Sequence, residues 1–186
     1  GMGRGNGERI AVDPNNSDII YCGGRTGGMI RSTDGGETWE TVASFPVNST
    51  KNENGINIIT FDGSKSADGK TTRIYAGVSE SKTDNIYYSD DAGETWNVLP
   101  GIDEKAQKFM PQRFDLDSKG NLYVSYGNHE GPWNSTQGTL YKFNADAGTS
   151  EEIQVVNWTV GDIVIDPSND DNMVLVTSEV WTEQPN

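Results

Sequence analysis

The chain has few of the residues that most often carry metal, redox and nucleic-acid chemistry. Its 186 residues include one cysteine, Cys22, and one histidine, His129. A single cysteine excludes an intramolecular disulfide, and a single histidine excludes a histidine-rich metal site. The chain has 14 basic residues against 28 acidic ones, a net charge of −14, whereas a phosphate-tracking surface needs clustered Lys and Arg. We therefore expect no metal, no cofactor and no nucleic-acid partner.

Apolar residues are also scarce and never form a long run. Only 33% of the residues are hydrophobic, whereas 22 are glycine and 7 are proline. The sequence contains no apolar stretch of the roughly 18 residues that a membrane span needs, and we expect no membrane partner. Its N-terminus lacks the charged-then-apolar pattern of a signal peptide. This composition disfavours long apolar helices and is typical of an all-β protein.

One eight-residue motif, S-x-D-x-G-x-T-W, occurs at 32–39 and again at 89–96, so that the two tryptophans are 57 residues apart (96 − 39). This is the Asp-box pattern. Asp and Ser side chains stabilise tight turns by accepting hydrogen bonds from backbone N–H groups. Gly readily adopts the positive φ that such turns require. We interpret the carboxylates as turn-fixing groups and the tryptophans as core anchors. The residues assigned to these turns are Ser32, Asp34, Gly36, Trp39, Ser89, Asp91, Gly93 and Trp96.

A second repeat gives the architecture. Four β-like segments each end in an aspartate, at Asp13, Asp62, Asp117 and Asp166, with intervals of 49, 55 and 49 residues. This period matches the four-stranded blade of a β-propeller, which takes about 40 to 50 residues. We predict a partial propeller over residues 1–186, with four-stranded antiparallel blades at 4–46, 55–101 and 109–157. Residues 159–186 are predicted to form half a blade.

This count of about three and a half blades falls short of the roughly four to eight of a closed propeller. An open arc exposes a strand edge and blade faces, and such surfaces associate. We therefore expect either self-association or contact with the remaining blades of the same propeller. In one version of self-association, two chains close a seven-bladed ring.

Sequential four-stranded blades place alternate connections at opposite ends. We call the end with the Asp boxes the turn face, and the other end the loop face. The loop face carries the connections near 24–27, 45–54, 79–84, 102–112, 127–138 and 179–186. Long loops on a rigid scaffold are the usual place for binding groups, and an aromatic face suits the C–H side of a sugar ring. The candidate substrate-binding residues are Trp133, Trp181, Arg25 and His129.

Several ordered phrases resemble xyloglucanases of glycoside hydrolase family 74. They are the stretch 3–16 with its Arg-Gly-x-Gly-Glu-Arg phrase, the two Asp boxes, the stretch 72–78, and the stretch from Gly131-Pro132-Trp133 to Lys142. The resemblance covers nearly all of the chain and implies a fragment of the N-terminal propeller of such an enzyme. It also implies xyloglucan or another β-glucan of the plant cell wall as substrate, and extracellular action.

The same resemblance implies inverting hydrolysis by two aspartates, one from each of two propellers, in Asp-Ile-Gly-Gly-like phrases. Inverting enzymes hold an acid and a base carboxyl group about 6.5–9.5 Å apart. The nearest match in this chain is Arg25-Thr26-Gly27-Gly28, which lacks the aspartate, and residues 110–113 replace a Met-Pro-His-His-like phrase. We assign no catalytic residue and expect this segment alone to be inactive. The alternative function is a non-catalytic propeller that binds carbohydrate or protein.

Overall fold

Three four-stranded antiparallel sheets and one two-stranded sheet follow one another along the chain, as in consecutive propeller blades. They were located in a computed structural model that describes residues 7–129, 135–153 and 159–178. The strands of the first sheet are β1 (Ile10–Asp13), β2 (Asn16–Gly23), β3 (Met29–Ser32) and β4 (Glu40–Thr41). Those of the second are β5 (Ile56–Phe61), β8 (Ile74–Val78), β9 (Ile86–Ser89) and β10 (Asn97–Val98).

The third sheet contains β11 (Met110–Leu116), β12 (Leu122–Gly127), β13 (Gly138–Asn144) and β14 (Thr149–Glu152). The fourth contains β15 (Thr159–Ile165) and β16 (Met173–Ser178). A small hairpin, β6 (Ser66–Ala67) and β7 (Lys70–Thr71), interrupts the connection from β5 to β8, and a 3₁₀ turn covers Ala106–Lys108. The all-β partial propeller is confirmed, whereas the exact blade limits stay a prediction. No helix in the described part of the chain is long and apolar enough to cross a membrane.

Each sheet is a simple meander, because its strands pair in the order of the chain apart from the inserted hairpin. Successive connections therefore alternate between the two ends of each blade. Contacts between two connections of the loop face agree with this alternation. Thr26 forms a β-bridge to Ser49, and the Gly28 N–H donates to the Asn48 carbonyl at 2.9 Å. At the turn face, the Ser118 hydroxyl donates to the Asp170 carboxylate at 2.7 Å.

The apolar core lies between the sheets. Tyr21 of the first blade packs edge-on against Phe61 of the second, with ring centroids 5.9 Å apart. Tyr123 and Leu140 of the third blade pack against Ile163 of the fourth unit, and all three are buried. Each blade therefore buries its faces against its neighbours, as expected for a repeat architecture.

Both Asp boxes form the turn that their sequence predicts. In the first, the Ser32 and Thr38 hydroxyls donate to the Asp34 carboxylate at 2.7 and 2.5 Å, and the Thr38 N–H donates to it at 2.8 Å. The Gly36 N–H in turn donates to the Ser32 hydroxyl at 2.8 Å. The second box repeats these bonds around Asp91 within 0.1 Å. The aspartates are turn-fixing groups.

The prediction that both box tryptophans anchor the core is wrong for Trp39. Trp96 packs edge-on against Phe45 of the preceding blade, with centroids 5.0 Å apart. Trp39 is 41% exposed, although its indole N–H makes the same bond to the box, to the Gly36 carbonyl at 3.1 Å. The physical reason is that a box tryptophan packs on the preceding blade, and none precedes the first blade in the described residues.

The innermost strands share a feature that sequence periodicity did not predict. Their pairing shifts register between Ile56 and Ile58, between Pro111 and Arg113, and between Val160 and Asp162. The extra residue is in each case the fifth before the strand-ending aspartate, namely Asn57, Gln112 or Gly161. Such bulges turn side chains away from the regular alternation. They lie at the loop-face ends of the inner strands.

The Asp34 turn makes a testable contribution to acid stability. Hydrogen bonds from the Thr38 hydroxyl and N–H, and then from Ser32, lower the pKa of Asp34 to about 2. Because this folded-state pKa lies below the unfolded value of about 3.9, the stabilisation is present above pH 4 and is lost as pH falls toward 2. We expect the urea midpoint of Asp34→Asn to lie below that of the unmodified chain at pH 7, with the gap closing between about pH 4 and pH 2. A gap that stays constant down to pH 2 would contradict this prediction. The control is Asp171→Asn, at an exposed aspartate in another turn.

Candidate functional site

The loop face contains a groove between the first and second blades. Its volume is about 700 Å³, within the range of about 300–1,000 Å³ that small-molecule sites occupy. One wall is the connection from β4 to β5, and the other is the connection from β8 to β9. Its lining residues are Val47, Ser49, Thr50, Lys51, Val78, Glu80, Ser81, Lys82, Thr83, Asp84 and Tyr87.

Hydrogen bonds hold the two walls in place. The Lys51 N–H donates to the Glu80 carboxylate at 2.9 Å, which joins one wall to the other. The Gln107 amide donates to the Asp84 carboxylate at 3.0 Å, and the Lys82 N–H donates to the Gln107 carbonyl at 2.6 Å. Both acidic side chains are therefore used in fixing the groove. Its shape is largely preformed, which lowers the entropic cost of binding.

The floor of the groove is apolar and its rim is polar. Tyr87 is half-buried beside Val47 and Val78, and its ring stands edge-on to Phe45 with centroids 5.4 Å apart. Burial, and then the nearby Asp84 carboxylate, raise the pKa of Tyr87, so its hydroxyl stays neutral. Exposed hydroxyls and ammonium groups surround this floor. An apolar floor with a few convergent polar groups suits a hydroxyl-rich ligand.

Arg25 lies beside the groove rather than in it. Its Nε donates to the Glu53 carbonyl at 3.0 Å, and the neighbouring Thr26 pairs with Ser49. The connection from β4 to β5 forms one wall of the groove, and it therefore separates Arg25 from the groove. Gly27 and Gly28 in the same loop have φ values of 89° and 78°, which non-glycine residues seldom adopt.

His129 lies on the third blade and connects to the bulge at Gln112. The Gln112 side-chain amide donates to the Met110 carbonyl at 3.1 Å and to the His129 carbonyl at 2.9 Å. Gln112 is 1% exposed. The Asn52 amide contacts the Met110 sulfur at 3.6 Å, so a row of contacts crosses the loop face toward Arg25. This contact was not predicted, because the register shift at Gln112 is visible only in the pairing of the strands.

The candidate sugar-stacking residues Trp133 and Trp181 lie outside the described residues. Their roles stay predictions. The groove residues, in turn, were missed by the sequence prediction, although both connections had been assigned to the loop face. The sequence prediction named tryptophans, whereas the groove is floored by Tyr87, which only the fold brings between the two connections.

Among the described residues, Asp34 and the carboxylates beside Arg113 are engaged in hydrogen bonds or ion pairs. Asp34, in the one Asp-x-Gly-Gly-like phrase, is held ionised at the turn face with its pKa lowered to about 2. Near the inner strands, the Arg113 guanidinium forms ion pairs with Glu8 at 3.3 Å and with Asp162 at 3.7 Å. The described residues also contain no group of three or more His, Cys, Asp or Glu side chains able to hold a metal ion.

Comparison with known proteins agrees with the repeat and the fold. The BNR/Asp-box repeat family matches residues 30–41 and 87–98. A xyloglucanase of Paenibacillus sp is 35% identical over 96% of this chain and 19% of its own length. The crystal structure of a glycoside hydrolase family 74 enzyme of Niastella koreensis superposes with a TM-score of 0.84. It is 40% identical, over 93% of this chain and 25% of that one.

A family 74 xyloglucanase of Xanthomonas campestris also superposes with a TM-score of 0.84, at 30% identity over 96% of this chain and 27% of that one. The chain thus spans about a fifth to a quarter of the length of the relatives it matches. The relationship covers all four units of the described fold. The chain belongs to glycoside hydrolase family 74, as a propeller segment in which the first two blades carry Asp boxes.

Proposed function

We propose that this chain is the xyloglucan-binding propeller segment of a secreted glycoside hydrolase, and that it binds β-glucan without cleaving it by itself. The observation that carries the proposal is the 35% identity to a xyloglucanase over 96% of the chain. The loop-face groove supplies the binding chemistry. A pyranose ring has apolar C–H faces and a rim of hydroxyls, which match the floor at Tyr87 and the polar rim around it.

The carboxylates of the two Asp boxes do not suit the chemistry of cleavage. A general acid must carry a proton near neutral pH, which requires a raised pKa. Asp34 and Asp91 instead have lowered pKa values: burial raises the pKa of Asp91, but hydrogen bonds from a threonine and a serine outweigh it, and the same kinds of hydrogen bond lower the pKa of Asp34. Both lie on the turn face. The catalytic aspartates of the proposed enzyme lie outside this chain.

Affinity electrophoresis in xyloglucan tests the proposal. We expect the mobility of the chain to fall as xyloglucan is added to the gel, and no reducing ends to be released in a parallel assay. Ser49→Arg places a long side chain in the groove and is expected to weaken binding about tenfold or more, a loss of about 1.4 kcal/mol. Trp133→Ala tests the predicted stacking residue in the same way.

Ser17→Arg is the matched control, because Ser17 is an exposed serine on β2, outside the loop-face groove. It is expected to bind as the unmodified chain does. Equal retardation of Ser49→Arg and Ser17→Arg would exclude the groove as the binding site. Unaltered mobility of the unmodified chain would favour a protein-binding module, and release of reducing ends would overturn the predicted inactivity.

A further inference from the structure

The arginines in the described part of the chain differ in their partners. Some form ion pairs with two carboxylates each, as expected in a chain of net charge −14, and these are Arg31, Arg73 and Arg113. Arg9 and Arg25 form no ion pair with a described carboxylate. The hydrogen bond that each of their guanidinium groups makes goes to a backbone carbonyl.

One short turn holds both of these side chains at the loop face. The Arg9 Nη1 donates to the Ile56 carbonyl at 2.6 Å, and the Arg25 Nε donates to the Glu53 carbonyl at 3.0 Å. The Ile56 N–H in turn donates at 3.0 Å to the carbonyl of Gly24, the residue before Arg25. Residues 53–56 therefore keep two positive groups together where the first and second blades meet.

The charge of Arg9 is not compensated by the residues around it. Its Nη2 is buried and has no hydrogen-bond acceptor among the described residues. Burial, and then the nearby charge of Arg25, lower the pKa of Arg9. Burying a charge without a partner costs free energy, and a like charge beside it adds repulsion. An anion bound next to the two groups would offset both costs.

Arg25 supplies the surface that such an anion can contact. The side chain is partly exposed, and its terminal nitrogens, Nη1 and Nη2, are open to solvent and make no hydrogen bond to the described residues. A guanidinium presents a planar fork of N–H donors that matches the two oxygens of a carboxylate. Arg25 is therefore the contact group, and Arg9 acts behind it through its charge.

The backbone of the supporting turn is tightly constrained. Glu53 has a φ of 56°, which non-glycine residues seldom adopt, and its carbonyl rather than its carboxylate bonds Arg25. A Cβ atom added to Gly55 would lie 2.4 Å from the Arg25 carbonyl oxygen, so the two loops are in close contact. Strained backbone of this kind is common where a ligand is held. The turn thus presents Arg25 in a preformed position.

This arginine pair lies next to the groove described above. Thr26 forms a β-bridge to Ser49, and Ser49 lines the groove. Only the connection from β4 to β5 lies between the groove and Arg25. Adjoining units of one sugar chain can therefore occupy the groove and contact Arg25.

We propose that Arg25, with Arg9 behind it, binds the carboxylate of an acidic sugar unit, which rests on the glucan binding proposed above. Oxidation of the primary hydroxyl of a hexose gives a uronic acid, whose carboxylate supplies the two oxygens that a guanidinium fork binds. The loop face then takes a glucan chain in the groove and a uronic acid unit at Arg25. A local cationic subsite is needed for this, because the net charge of −14 repels acidic ligands elsewhere on the chain.

Titration calorimetry with two matched ligands tests this subsite. The ligands are a neutral cello-oligosaccharide and the same oligosaccharide with one terminal glucose replaced by glucuronic acid. We expect the acidic ligand to bind the unmodified chain at least about tenfold more tightly in low salt, because hydrogen bonds between charged groups are stronger than neutral ones. This preference should shrink in high salt.

Substitutions of the two arginines locate the preference. Arg25→Gln is expected to abolish it and to leave binding of the neutral ligand unchanged. Arg25→Lys retains the charge but not the planar fork, and should keep only part of the preference. Arg9→Gln removes the buried charge and should reduce the preference without abolishing it. The matched control is Lys108→Gln, which removes one charge from an exposed lysine of the 3₁₀ turn and should bind both ligands as the unmodified chain does.

The outcomes separate this subsite from glucan binding in the groove. Equal affinity for the two ligands, or a preference that persists in Arg25→Gln, would contradict the carboxylate subsite and leave glucan binding in place. Binding of the acidic ligand alone would support the subsite and contradict binding of neutral glucan. Absence of binding to either ligand would contradict both. Inorganic phosphate that competes as strongly as the acidic ligand would indicate a general anion site and overturn the assignment to a sugar.

Discussion

Replacement of Gly93 by alanine is expected to lower the free energy of unfolding by about 3 to 4 kcal/mol, one of the largest effects of a single methyl group in this fold. Gly93 has a φ of 85°, so any side chain adds backbone strain. Its added Cβ would also fall inside contact distance of the Tyr21 hydroxyl. That hydroxyl is fixed, because it donates to the Ala92 carbonyl at 2.9 Å. Urea denaturation measures the loss.

Gly36→Ala is the matched control, since Gly36 is the equivalent glycine of the first Asp box with a φ of 94°. Its added Cβ would meet Ile20 at 3.7 Å and Trp39 at 3.8 Å, which are ordinary contacts. The expected loss is therefore the backbone strain alone, about 1 to 2 kcal/mol. Tyr21→Phe in the Gly93→Ala background should recover part of the loss. Equal losses of unfolding free energy for Gly93→Ala and Gly36→Ala, measured at the same protein concentration, would contradict the blade contact described for Gly93.

Replacement of Arg73 by methionine is expected to cost about 2 to 3 kcal/mol. The Arg73 side chain is 7% exposed and joins the second blade to the third at the turn face. Its guanidinium bonds Asp90, Asp146 at 2.7 Å and the Tyr75 hydroxyl at 3.1 Å, and lies 5.4 Å from the Tyr88 ring. Breaking a buried pair usually costs about 3 to 5 kcal/mol, but both carboxylates are exposed and regain water.

Comparison with Arg31→Met separates the contribution of burial to stability from that of charge pairing. Arg31 also bridges two carboxylates, Glu40 at 2.7 Å and Glu94 at 2.9 Å, and approaches the Tyr21 hydroxyl. Its side chain is 24% exposed, so water and salt screen the pairs. The expected cost is about 1 kcal/mol or less, and it should shrink in high salt. Urea denaturation in low and high salt compares the variants, and a larger loss for Arg31 than for Arg73 would contradict the account.

Local chemistry made the Asp boxes and the blade order predictable. The bonds of Asp34 and Asp91 join residues within four positions of one another, so the sequence contains both partners. The aspartates that end the first strand of each blade recur at similar intervals in the sequence, so the blade period could also be predicted from them. The third blade was harder to predict, because the bulge at Gln112 breaks the alternation of β11, which begins at Met110.

Contacts between blades were not predictable in this way. The exposure of Trp39 and the burial around Gly93 depend on which blade stands beside each box, although the two motifs are nearly identical. The groove likewise combines residues near 47–51 with residues near 80–87, and no local pattern marks that pairing. Arg25 and His129 were placed on the correct face by topology, but their role in binding stays a prediction.

The central claim is that the loop face binds β-glucan while the Asp boxes serve only the fold. Titration of the isotopically labelled chain with a xyloglucan oligosaccharide, followed by amide chemical shifts, tests it most directly. The account predicts shifts concentrated in residues 47–51 and 80–87, with residues 32–38 and 89–95 unchanged. Shifts centred on the Asp boxes, or saturable binding that leaves the groove amides unchanged, would contradict it.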